Sequence, residues 1–99
     1  MKTELTIEES AKLVELGIYP KWAERIVKQG GIPIITLEHI LEELLPKEID
    51  GHPLDILWDS YCNEWQAVHI GLGNGCRDSE LINALYRLLI KIIENKVYE

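Results

Sequence analysis

The apolar residues of this chain change period twice, and that most constrains what it can fold into. Up to Leu45 they recur about every 3.6 residues, the spacing of a helix that buries one face. From Leu54 to Ile70 they alternate with period two, the spacing of strands. From Leu81 onward the helical period returns, in Leu81, Ile82, Leu85, Leu88, Leu89, Ile92 and Ile93. Helices that flank a short run of strands predict an α+β fold. With 99 residues, the reading is a single small domain over 1–99, able to bury one core without disulfides or metals.

Local signals refine this. Thr6 and Glu9 have the spacing of a reciprocal capping box, and Gly17 suits a helix stop, which predicts a helix over 7–16. Pro20 suits a first helical position, and Gln29-Gly30-Gly31 an end, which predicts a second helix over 20–29. Thr36 caps a third over 37–45, closed by Pro46. Leu54, Ile56 and Trp58, then Trp65, Ala67 and His69, predict the two inner faces of an antiparallel β-hairpin near 54–70. A turn at Cys62-Asn63 sets Trp65 opposite Ser60 and Ala67 opposite Trp58. Gly71 to Gly75 reads as a mobile connector, and Asp78 or Ser79 as the cap of a last helix over 79–95. That long C-terminal helix is expected to pack on the hairpin, which is marginal alone.

The net charge of −7 lies in one stretch. Residues 36–64 hold eight acids and one base, whereas 1–35 and 65–99 are each balanced. Such a surface argues against nucleic acid as its partner. Glu38, Glu42, Glu43, Asp55 and Asp59 are the candidate acidic surface, although charge runs more often only solvate a face. Lys21, Arg25 and Lys28 form a basic stripe on the second helix. They are the alternative, a nucleic-acid-associated regulator, with Glu24 placed to pair with Lys28.

Candidate chemistry is sparse. His52, Cys62, His69 and Cys76 are zinc-ligand types, but no two lie at finger or ribbon spacing. Gly71-x-Gly73-x-Gly75 departs from a phosphate loop, and Asp78 and Glu80 would repel phosphate. The serines lack a nucleophile-elbow context, and Cys62 with His69 is no recognisable catalytic pair. The expectation is a non-enzymatic protein with no catalytic residue, cofactor or metal and no identified small-molecule substrate. No apolar run nears the roughly 20 residues of a membrane span, and no apolar stretch follows Lys2 as in a secretion signal. A cytoplasmic protein with reduced thiols at Cys62 and Cys76 is expected. The outer hairpin face carries Leu57, Tyr61, Val68 and Ile70, too apolar for open water, so these are the candidate interface with a protein partner or a second copy.

Three stretches resemble a family of small uncharacterised proteins of bacterial prophages and mobile elements. These are Leu5 to Leu13, Thr36 to Ile49 with its ending Leu45-Pro46-Lys47-Glu48-Ile49, and Ser79 to Asn95. The resemblance covers roughly half the chain and consists mostly of packing patterns. It implies a compact α+β fold and a prophage or mobile-element origin, and it transfers no site residues. The combined expectation is a protein-binding or accessory protein of such an element.

Overall fold

The computed structural model describes residues 1–95, built around one helix. This helix, Leu81–Glu94, buries Leu81, Ile82, Ala84, Leu85, Leu88, Leu89 and Ile92. Those positions recur at three- and four-residue steps, so one stripe faces inward along the whole helix. Each large aliphatic side chain buried there contributes about 1.5–3 kcal/mol. The helix starts two residues later than expected, and neither Asp78 nor Ser79 is its cap. Residues 76–78 are held in a strand instead, and Asp78 Oδ1 accepts from the Glu80 amide at 2.8 Å and from Asn83 Nδ2 at 3.3 Å.

The strands are more numerous than the single hairpin expected. β1 (Glu48–Ile49), β2 (His52–Asp59), β3 (Glu64–His69) and β4 (Cys76–Asp78) form an antiparallel meander in that order. β1 and β2 are joined by Asp50 and Gly51, both left-handed at φ 50° and 82°. This is the type I′ connection that the Asp-Gly pair favours, because its twist matches that of the flanking strands. Between β2 and β3, residues 60–63 make a four-residue loop. Asp59 Oδ1 accepts from the amides of Tyr61 at 2.9 Å and Cys62 at 3.3 Å. The longer loop shifts the register by two from that expected, so Trp65 faces Trp58 and Ala67 faces Ile56. A shift of two preserves faces, so the predicted inner set stands.

The helix at 81–94 packs on the inner face of β3 and β4. The other helices complete that layer. α1 (Ile7–Glu15) begins with the reciprocal Thr6–Glu9 box. The expected helix at 20–29 is shorter, a 3₁₀ turn at Lys21–Ala23 leading into α2 (Glu24–Lys28). α3 starts as one α-turn, Leu37–His39, with Thr36 and His39 capping each other. It widens into a π-turn over Ile40–Leu44, closed by the Leu45 amide on the Ile40 carbonyl at 2.8 Å. The wider turn lets Leu44 and Leu45 both enter the core before Pro46 stops the helix. The helix at 81–94 is α4. Near the start of the chain, the Leu5 amide donates to the Ile35 carbonyl at 2.8 Å, and the buried Ser10 hydroxyl accepts from the Ile35 amide at 3.1 Å.

Candidate functional site

Strand alternation sorts the sheet's side chains between two surfaces. Leu54, Ile56 and Trp58 share the inner face with Trp65, Ala67, His69 and Cys76. Asp55, Leu57 and Asp59 share the outer face with Glu64, Gln66, Val68 and Arg77. α4 covers only the inner side. Leu57 and Ile70 are exposed, Val68 is half-buried, and Tyr61 at the tip of the 60–63 loop is 97% exposed. The predicted interface residues Leu57 and Val68 therefore lie on one surface, with Ile70 just past the end of β3 and Tyr61 at the far tip.

Charge on this face is partly tied down. Arg77 Nη1 donates to Asp59 Oδ2 at 2.8 Å, reaching across β3. That hydrogen bond, with the amides of Cys62 and Tyr61, holds the Asp59 carboxyl below its usual range. The same contact raises the Arg77 guanidinium further. Asp55 and Glu64 make no ion pair among the described residues.

The predicted acidic surface divides in two. Asp55 and Asp59 stand on the outer sheet face. Glu38 and Glu42 belong to the helical layer, where they line a groove of about 510 Å³ with Thr3, Glu4, Leu37 and Leu41. Glu43 is used structurally, since its Oε2 accepts from the Lys21 amide at 3.2 Å. On the basic stripe, Lys28 pairs with Glu24 at 3.1 Å, one turn away.

The two histidines among the four zinc-ligand types are engaged by partners of their own. His52 Nδ1 lies 2.8 Å from the Ile70 carbonyl. His69 is buried. Its Nε2 donates to the Pro46 carbonyl at 2.7 Å, which leaves Nδ1 to accept from Asn74 Nδ2 at 3.1 Å. Cys62 is exposed in the hairpin loop, and Cys76 is half-buried on the inner face. Among the described residues, no three His, Cys, Asp or Glu side chains are placed to share a metal ion. The glycine-rich loop is followed by a strand, β4, not by a helix. Asn74 within it is buried, and its Oδ1 accepts from the His69 amide at 2.9 Å. No described helix is long and apolar enough to cross a membrane.

Three features lie outside the sequence-based expectations. The Asp50-Gly51 turn is signalled by its dipeptide between Ile49 and His52. The edge-on pairing of Trp58 with Trp65, ring centroids 5.3 Å apart, depends on the register, and the His69 network depends on the path of a distant segment. No family model matches the chain, and no curated protein or solved structure matches it either.

Proposed function

We propose that this is a non-enzymatic protein-binding or accessory protein, of the prophage or mobile-element origin its resemblance implies, acting through the outer face of its sheet. The observation that carries the reading is the one-sided cover of that sheet. α4 packs on the inner face, while Leu57 and Ile70 stay exposed and Val68 half-buried on the opposite side. Apolar side chains at the surface are ordinary singly, and a group on one face marks an interface. The unpaired carboxylates among them favour a partner with basic residues at its rim.

The reading is tested by placing a photo-crosslinking side chain at Leu57 or Ile70, and a control at Trp22, which is at least as exposed as either. A partner captured at both sheet positions, not at Trp22, with the Leu57 capture lost in the double variant Val68→Lys/Ile70→Lys, is the expected result. Equal capture at Trp22, or capture untouched by the double variant, would sink it. Genes of prophage type beside the coding sequence are the matching expectation for origin. The nucleic-acid alternative loses one member of its stripe, since Lys28 is paired with Glu24, while Lys21 and Arg25 remain exposed.

A further inference from the structure

β2 is eight residues long, but β1, its neighbour on one side, is only two. In an antiparallel ladder, alternate residues turn their amide and carbonyl groups to opposite sides. The Leu54 amide donates to the Lys47 carbonyl at 2.8 Å, so even-numbered residues of β2 point toward β1. The Ile70 amide donates to the Pro53 carbonyl at 2.9 Å, so odd-numbered residues point toward β3. Ile56 and Trp58 therefore direct two N–H and two C=O groups to the side where β1 has already ended. Among the described residues, no strand pairs with them there. The segment that would have extended β1 is drawn beneath the sheet, where the Pro46 carbonyl accepts from buried His69.

The side chains beside this gap suit a strand. Leu57 is 40% exposed and Trp58 45%, one on each face. An open apolar edge is a template for strand pairing, and native proteins normally blunt it with charged side chains, lysine above all, with proline or with a bulge. Residues 55–59 of β2 contain no lysine, proline or bulge, and their only charges, Asp55 and Asp59, guard against acidic strands but leave the edge open to a basic one.

We infer that this open edge of β2 accepts an extended segment of a partner protein by strand addition, with basic residues facing Asp55 and Asp59 and apolar ones between. This rests on the protein-binding reading above and specifies its mode. Charge selects the occupant. The outer face holds Asp55, Asp59 and Glu64, and its one base, Arg77, is already held by Asp59. A second copy fits poorly. Two-fold antiparallel pairing through Ile56 and Trp58 places Leu57 opposite Leu57, but also Asp55 opposite Asp59 twice. Like charges directly opposite each other destabilise a pair, and each copy carries −7 overall. A foreign strand of pattern basic, apolar, apolar, apolar, basic meets every position: its ends pair with the two aspartates, its centre with Leu57, and the remaining two with Ile56 and Trp58. Backbone hydrogen bonds then supply affinity, and alternate side chains specificity.

The test uses the full chain, ¹⁵N-labelled, with the probe acetyl-Lys-Val-Ile-Val-Lys-amide. Two controls carry Glu for both Lys, or Pro for both Val, the residues whose N–H groups would meet Ile56 and Trp58. Amide exchange at Ile56 and Trp58 is fast in the free protein and slows at least about tenfold with the Lys probe. The Glu and Pro peptides leave it fast. Asp55→Lys, a surface change, gives either peptide one favourable and one unfavourable end and so abolishes the preference for the Lys probe over the Glu peptide. Slow exchange at Ile56 and Trp58 in the free protein overturns the proposal. So does a Lys probe that shifts Val68 and Ile70 without protecting Ile56 and Trp58, which leaves outer-face binding standing. A probe that perturbs no residue also overturns it, while the crosslinking result at Leu57 and Ile70 separately decides the broader reading.

Discussion

His69 Nε2 donates to the carbonyl of Pro46 at 2.7 Å, tying the inner face of β3 to the segment that precedes β1. The pair lies 23 residues apart and does two things. It satisfies a buried imidazole that Asn74 holds from the other side. It also turns the chain under the sheet at the point where β1 would otherwise run on, and so leaves Ile56 and Trp58 at an open edge.

Removing either member of this network leaves buried polar groups without partners. His69→Ala and Asn74→Ala should each cost about 1–3 kcal/mol, the cost of such orphaned groups. Because they share partners, the double variant should fall short of the sum by about 0.5–3 kcal/mol. Urea midpoints of the four proteins check this, and strict additivity would show that the two side chains act independently.

The β1–β2 turn makes a second prediction. Gly51 sits at φ 82°, where a β-branched residue is strained. Gly51→Val should destabilise by about 1–2 kcal/mol, the cost of a left-handed backbone for such a residue. Asp50→Asn should stay within about 0.5 kcal/mol, since asparagine suits the same turn. Chemical denaturation distinguishes the two, and equal losses would argue against the turn type.

Three carboxylates set the acid limit. Asp59, ordinarily at 3.8, is lowered first by its hydrogen bond from Arg77. Asp78, also ordinarily at 3.8, is lowered first by the Glu80 amide. For Glu9, ordinarily at 4.5, burial pushes upward, but the Thr6 amide and Lys2 together outweigh it. A depressed native pKa means the unfolded chain binds more protons between the two values, so stability rises with pH there. The contribution is complete above 4.5 and lost as pH falls through the lowered values, below 3.8 for both aspartates. The urea midpoint should hold down to about pH 5 and then fall toward about pH 2, with a shallower fall in Asp59→Asn. A midpoint flat across that span would contradict the assignment.

The two thiols should separate by reactivity. Cys62 is exposed at the hairpin loop. Cys76 packs on the inner face, where burial pushes its thiol above the ordinary 9.0 despite Lys91 and Arg87. Only the thiolate is alkylated, so iodoacetamide should modify Cys62 at least about tenfold faster at neutral pH. Peptide mapping after partial reaction reads the ratio, and equal labelling would sink the prediction.

Elements held together by neighbours in the chain are legible in the sequence. The Thr6–Glu9 box, the stop at Pro46 and the stripe of α4 all follow from spacing over a few residues. The inner and outer faces of β2 and β3 are legible too, because a period of two survives a register error of two. The Asp50-Gly51 dipeptide is an equally local signal, but β1 is too short to show the alternation that would frame it as a turn. What lies beyond local spacing is decided by tertiary contacts. The register follows from a four-residue loop set by the Asp59 carboxylate, and the π-turn of α3 from the need to bury Leu44 and Leu45 together. The open edge of β2 follows from His69 meeting Pro46. Sequence alone determined which side chains would seek burial and with what period, because period is a property of neighbouring residues. Only the tertiary structure decided which backbone groups stayed unpaired, because that depends on where a distant segment is pulled away.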